Sequence, residues 1–74
     1  MTYQAPLTIT QTLCPMPGWT LHVGRVDGRT DGRDWVVEYH RDDGRRVGAL
    51  GYERRYFGTE EDATIAATLF RGAI

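Results

Sequence analysis

The sequence predicts an α+β fold, a four-stranded antiparallel meander packed against one C-terminal helix. Three observations predict it. Segments that alternate apolar and polar residues follow one another through the first two thirds of the chain. Glycine-, proline- and aspartate-rich turns separate them, at spacings short enough for hairpins. A helical repeat of apolar residues begins only after Gly58. With 74 residues the chain makes one domain, spanning 1–74, and has no room for a second core.

The first strand is read from Leu7-Thr8-Ile9-Thr10-Gln11-Thr12-Leu13, with Leu7, Ile9 and Leu13 expected on one face and the threonines on the other. Cys14-Pro15-Met16-Pro17-Gly18 ends it, because proline cannot donate to a ladder. The second strand places Trp19, Leu21 and Val23 on one side and Thr20, His22 and Gly24 on the other, and runs to about Val26. Residues 27–33 hold two Asp-Gly turn signals. The third strand, Trp35 to Arg41, turns Trp35, Val37 and Tyr39 inward and Val36, Glu38 and His40 outward. Asp42-Asp43-Gly44 forms a tight turn, and Arg45 to Phe57 supply a fourth strand bent near Gly48 or Gly51.

Thr59 is suited to cap a helix, with Glu60, Glu61 and Asp62 in its first turn, where the helix dipole favours anions. Ile65, Ala66, Leu69, Phe70 and Ala73 then form the face expected to cover the sheet. The predicted core is therefore Trp19, Leu21, Val23, Trp35, Val37, Tyr39, Ile65, Leu69 and Phe70.

Composition narrows the chemistry. Nine Arg stand against ten Asp and Glu, a net charge of −1, which excludes a uniformly basic nucleic-acid module and an acidic DNA mimic. Lys, Ser and Asn are absent altogether. Their absence removes a serine triad, a Schiff-base lysine and a phosphate-gripping P-loop. The same bias fits a GC-rich coding sequence of bacterial or phage type. The single Cys14 excludes an internal disulfide and a zinc site built on paired cysteines. No stretch of 18 apolar residues and no basic-then-apolar leader occurs, so no membrane span is expected and the location expected is the cytoplasm of a bacterial host.

Two residue groups are candidates for function. His22, Glu38 and His40 fall on the face opposite the helix, with His22 beside either Glu38 or His40 according to the centre of the loop near Thr30. Such residues can bind a metal or share a proton, but a flat sheet face lacks the concave pocket that catalysis needs. The expectation is no metal, no cofactor, no catalytic residue and no enzymatic activity. Arginine is more informative, because eight of the nine lie in strands two to four or their loops. Arg29, Arg33, Arg45, Arg46 and Arg54, with Tyr52 and Tyr56, are the candidate partner-binding residues, since Arg and Tyr are enriched among interface hot spots.

Residues 33–69 carry a further pattern: an aromatic-led strand from Trp35, a turn at Asp43-Gly44-Arg45, and Phe57-Gly58-Thr59-Glu60-Glu61-Asp62-Ala63 leading into the helix. It resembles the APETALA/ethylene-response-type domain and the arm-binding domain of phage integrases. That resemblance implies a sheet laid in the DNA major groove, with Glu38, His40 and Arg46 facing bases or phosphates. A looser resemblance, of class only, is to small phage anti-defence proteins of the anti-CRISPR type. Net charge, free-standing length and the lack of lysine favour the second. The expected function is thus a small inhibitor or modulator of a bacterial host protein complex, acting by occupying a protein or nucleic-acid-binding surface, with direct DNA binding as the alternative. The uncharged first strand, at an edge of the sheet, is expected to be covered by the target or by a second copy in a homodimer.

Overall fold

A computed structural model describes residues 5–45, 47, 48 and 50–72. Four strands, β1 (Thr8–Leu13), β2 (Trp19–Arg25), β3 (Trp35–Arg41) and β4 (Glu53–Phe57), precede one helix, α1 (Glu60–Thr68). The strands pair in chain order, each antiparallel to the last, which is the predicted meander. The fold is α+β, with the helix laid across one face of the sheet.

The helix begins where the sequence places it. The Thr59 side chain accepts a hydrogen bond from the Asp62 amide at 3.1 Å, satisfying one of the free donors of the first turn. Its buried stripe differs from the expected one. Ala63 and Ala67 are fully buried and Phe70 follows them into the core, whereas Ile65 and Leu69 remain 49% and 64% exposed. Two alanines one turn apart let the helix approach the sheet closely. Ile65, two positions on from Ala63, is turned about 200° away from it. Phe70 then fills the space beyond α1, its ring 4.8 Å from Trp19 and 5.2 Å from Tyr39. Trp19, Leu21, Val23, Val37 and Tyr39 complete the core, and Trp35 is only partly buried, opposite Arg25 at the end of the sheet. Ala73 lies outside the described residues.

β1 departs from strict alternation. Ile9 pairs with Gly24 and Gln11 with Val23, so Thr10 is an extra residue, a β-bulge. Thr10 and Gln11 consequently both face the helix, where Thr10 Oγ1 donates to Glu60 at 2.9 Å and Gln11 Nε2 to Thr64 at 2.9 Å. The bulge reverses the faces on its two sides. Leu13 packs on the core, while Leu7 and Ile9 lie on the opposite face, so the expectation that all three share one face fails.

The fourth strand is also shorter than expected. The described residues between Arg41 and β4 form no strand, and Gly48 and Gly51 take φ of +69° and +88°, conformations that interrupt a ladder. The register centre of the β2–β3 hairpin falls at Thr30, which sets His22 directly opposite Glu38.

The face away from the helix is not simply solvated. Residues 5–7 cross it as a strap from β1 toward β4, where the Ala5 carbonyl accepts from Arg54 Nη1 at 2.8 Å. The strap passes over Gly24: a Cβ there would meet the Thr8 carbonyl and lie 2.9 Å from Leu7 Cδ1. Val36, expected to face outward into solvent, is fully buried on this side, and Val26 is 2% exposed.

Candidate functional site

The open half of this second face holds the polar residues singled out by sequence. β3 projects Glu38 and His40 from alternate positions, β2 brings His22 opposite Glu38, and β4 brings Arg54 to the other side of the same carboxylate. Glu38 uses both oxygens. Oε1 accepts from His40 Nε2 at 2.6 Å, and Oε2 accepts from Arg54 Nε at 2.8 Å. Both partners of the ion pair are largely removed from solvent, Glu38 at 9% exposure and the Arg54 side chain at 8%. Burial pushes the Glu38 carboxyl up, but the hydrogen bonds from His40 and Arg54 outweigh it and hold it below the usual glutamate range. Burial lowers and the Glu38 hydrogen bond raises the Arg54 guanidinium, with a net upward shift.

Planar rings form the upper surface of this network. The His22 and His40 rings meet edge to face at 5.3 Å, and His40 lies 5.4 Å from Tyr52. Arg54 sits 5.5 Å from the Tyr52 centroid. Thr12 Oγ1 shares a hydrogen bond with His22 Nδ1 at 3.1 Å, and Thr20 Oγ1 donates to Asp42 at 2.7 Å. These rings are half-buried and braced from below. Chemically, the arrangement is a rigid, self-neutralised patch. No cluster of three or more metal-ligating side chains occurs among the described residues.

The arginines are dispersed. Arg29 and Arg33 lie in the β2–β3 loop and Arg45 follows the β3–β4 turn, so they stand at opposite ends of β3. Seven residues of strand separate those ends by roughly 20 Å. Arg29 stacks on Tyr56 at 3.7 Å and makes a two-point pair with Asp31, whose carboxyl is lowered to about 2 by that pair and by the Arg33 amide. Tyr56 and Arg29 also border an open groove of about 630 Å³ between the strap and residues 26–29. Arg45 is 77% exposed and 3.6 Å from Asp43, which also receives Arg41 at 2.9 Å. Arg33 makes no ion pair with a described residue. Arg54, named with these as a partner-binding residue, is instead spent on Glu38 and Ala5. Arg46 lies outside the described residues.

Cys14 is exposed at the end of β1 and remains a free thiol. The sequence does not reveal the Glu38–Arg54 pair, because nothing in it fixes where β4 starts. It also missed the strap, whose one signal is Gly24, a glycine inside an otherwise regular strand. Among the described residues no helix is long and apolar enough to cross a membrane. Comparison with protein-family models, with curated proteins and with solved structures finds no match for this chain.

Proposed function

We propose that this chain is a small non-enzymatic binding protein of the phage or mobile-element kind, which modulates a bacterial host complex by occupying a protein surface. The observation that carries the reading is the full commitment of Glu38 to His40 and Arg54. A base or nucleophile for catalysis needs a free lone pair aimed into a cleft. Here both carboxylate oxygens already accept a hydrogen bond, and the charge is paired with a buried cation. What the face offers a partner is ring surface from His22, His40 and Tyr52, with exposed Arg45 beyond the near end of β3 and exposed Arg33 beyond its far end. Aromatic anchors flanked by Arg suit a protein interface.

The alternative, a sheet laid in the DNA groove through Glu38, His40 and Arg46, draws less support from the same geometry. Phosphate contact rests on cations free to release counterions. Arg54, and Arg29 stacked on Tyr56 of the same face, are both already paired, with Glu38 and Asp31. Two measurements test the reading together: capture of a host complex on the immobilised protein, and mobility shift of short duplex DNA. A captured complex that is lost at least tenfold by H22A/Y52A or by R33E/R45E supports it. Tight DNA binding that weakens steeply with salt would replace it with the groove reading.

A further inference from the structure

The sheet ends in two edges of different character. β4, Glu53-Arg54-Arg55-Tyr56-Phe57, carries three charges in five residues, the usual protection of an exposed edge. β1, Thr8-Ile9-Thr10-Gln11-Thr12-Leu13, carries none in six, and among the described residues it has a neighbour on one side only. Thr8, Ile9, Thr10 and Thr12 are exposed along it, Ile9 to 50%.

The bulge gives this edge a property that a regular strand lacks. Read from Thr8 to Leu13, the side chains face helix, open side, helix, helix, open side, helix. Register with β2 sets the outer four of these, Thr8 opposite Arg25, Ile9 opposite Gly24, Thr12 opposite His22 and Leu13 opposite Leu21. The Thr10–Glu60 and Gln11–Thr64 hydrogen bonds set the two in the middle. The sequence of faces is the same in both directions. An antiparallel pairing must put residues of one face opposite residues of the same face. Two copies of β1 related by a two-fold axis between Thr10 and Gln11 meet that requirement over all six positions. Registers one residue to either side would oppose open-side and helix-side residues.

We propose that β1 is a self-association edge: it pairs antiparallel with β1 of a second copy, Ile9 opposite the second copy's Thr12 and Thr8 opposite its Leu13. No like charges meet, because the strand has none. The product is a continuous eight-stranded sheet with both helices on one side and the two His22–His40–Tyr52 patches on the other. Such a dimer would present its binding face twice. The strand interface falls below the roughly 1,200 Å² of a stable standard complex, so the expected dissociation constant is weak, on the order of 100 µM.

Sedimentation velocity between about 10 and 500 µM tests this, with circular dichroism to confirm that each variant is folded. The parent is expected to shift from monomer to dimer. I9K/T12K places like charges opposite each other twice and is expected to weaken the dimer by more than tenfold. I9K/T12E places opposite charges at the same two contacts and is expected to stay within about threefold of the parent. A parent that remains monomeric to about 500 µM overturns the proposal. So does an I9K/T12K variant that still dimerises, or an I9K/T12E variant as weak as I9K/T12K. None of these results depends on whether a host partner is found.

Discussion

Glu38→Gln is the substitution that probes the open face most directly. It keeps the shape of the side chain and removes the charge shared by Arg54 and His40. Two limits bound the effect. Exposed ion pairs are worth about 0.2–1 kcal/mol, while breaking a buried pair costs about 3–5 kcal/mol. The pair here, at 8% and 12% side-chain exposure, belongs near the buried limit. Arg54 retains its bond to the Ala5 carbonyl and its place beside Tyr52, which softens the loss. The expected cost is about 2–3 kcal/mol, or roughly 10–20 °C in Tm for a domain of this size.

Urea denaturation of the parent, Glu38→Gln, Arg54→Met and the double variant isolates the pair as a coupling energy. The acid limb provides a second readout. A carboxyl held low in the folded state stabilises above its unfolded pKa, and that stability disappears as pH falls through the folded value. The parent should therefore lose stability relative to Glu38→Gln below about pH 4.3, the ordinary glutamate value, and the two curves should converge in acid. A coupling below about 0.5 kcal/mol, with parallel pH curves, would refute the buried-pair reasoning and reduce the network to surface decoration.

Four further outcomes follow from the packing. Gly24→Ala should cost about 1–3 kcal/mol by thermal denaturation, because the added methyl meets the backbone of the strap at Thr8. Trp19→Ala, at 6% exposure and edge to face with Phe70, should cost about 3–5 kcal/mol, and the partly buried Trp35→Ala clearly less, although the sequence places both in the core. Ile65→Glu and Leu69→Glu should each stay within about 0.5 kcal/mol of the parent in the same denaturation, since both side chains face solvent. Thr59→Ala should lower stability by about 1 kcal/mol, read as lost helical signal at lower temperature, because the Asp62 amide loses its acceptor.

The meander and the helix cap were legible because each rests on local chemistry. Alternation identified β2 and β3, Asp-Gly turns placed the hairpins, and Thr59 before three acids marked the helix start. The parts that were not legible depend on events between elements. A bulge leaves no trace in a run of threonines, so alternation puts Leu7 and Ile9 on the same face as Leu13, which the bulge prevents. The helix face could not be read from apolarity, because the residues that touch the sheet are alanines, whose value is closeness of approach and not hydrophobic area. Val36 looked like an outward residue since the strap that buries it comes from more than 25 positions earlier in the chain. At the site, His22, Glu38 and His40 were visible as one face. The cation that neutralises them was counted among free arginines, and only the β3–β4 register moves it into the network.

The strap and the ion pair make one device. Arg54 Nη1 donates to Ala5 while its Nε donates to Glu38, so the same guanidinium ties the strap to β4 and holds the carboxylate under the His40 ring. The two halves of the face are therefore coupled through a single side chain. The apolar half, with Val26 and Val36 beneath the strap, supplies stability that a sheet with one bare face would lack. In the polar half the His40 ring is held by its hydrogen bond to a carboxylate that is itself fixed, and the His22 ring by its hydrogen bond with Thr12. Rings ordered before contact lose less entropy on binding, and that preorganisation raises affinity without added area. Residues 5–7 thus cover one half of the face opposite α1, and the other half presents ordered His22 and His40 rings.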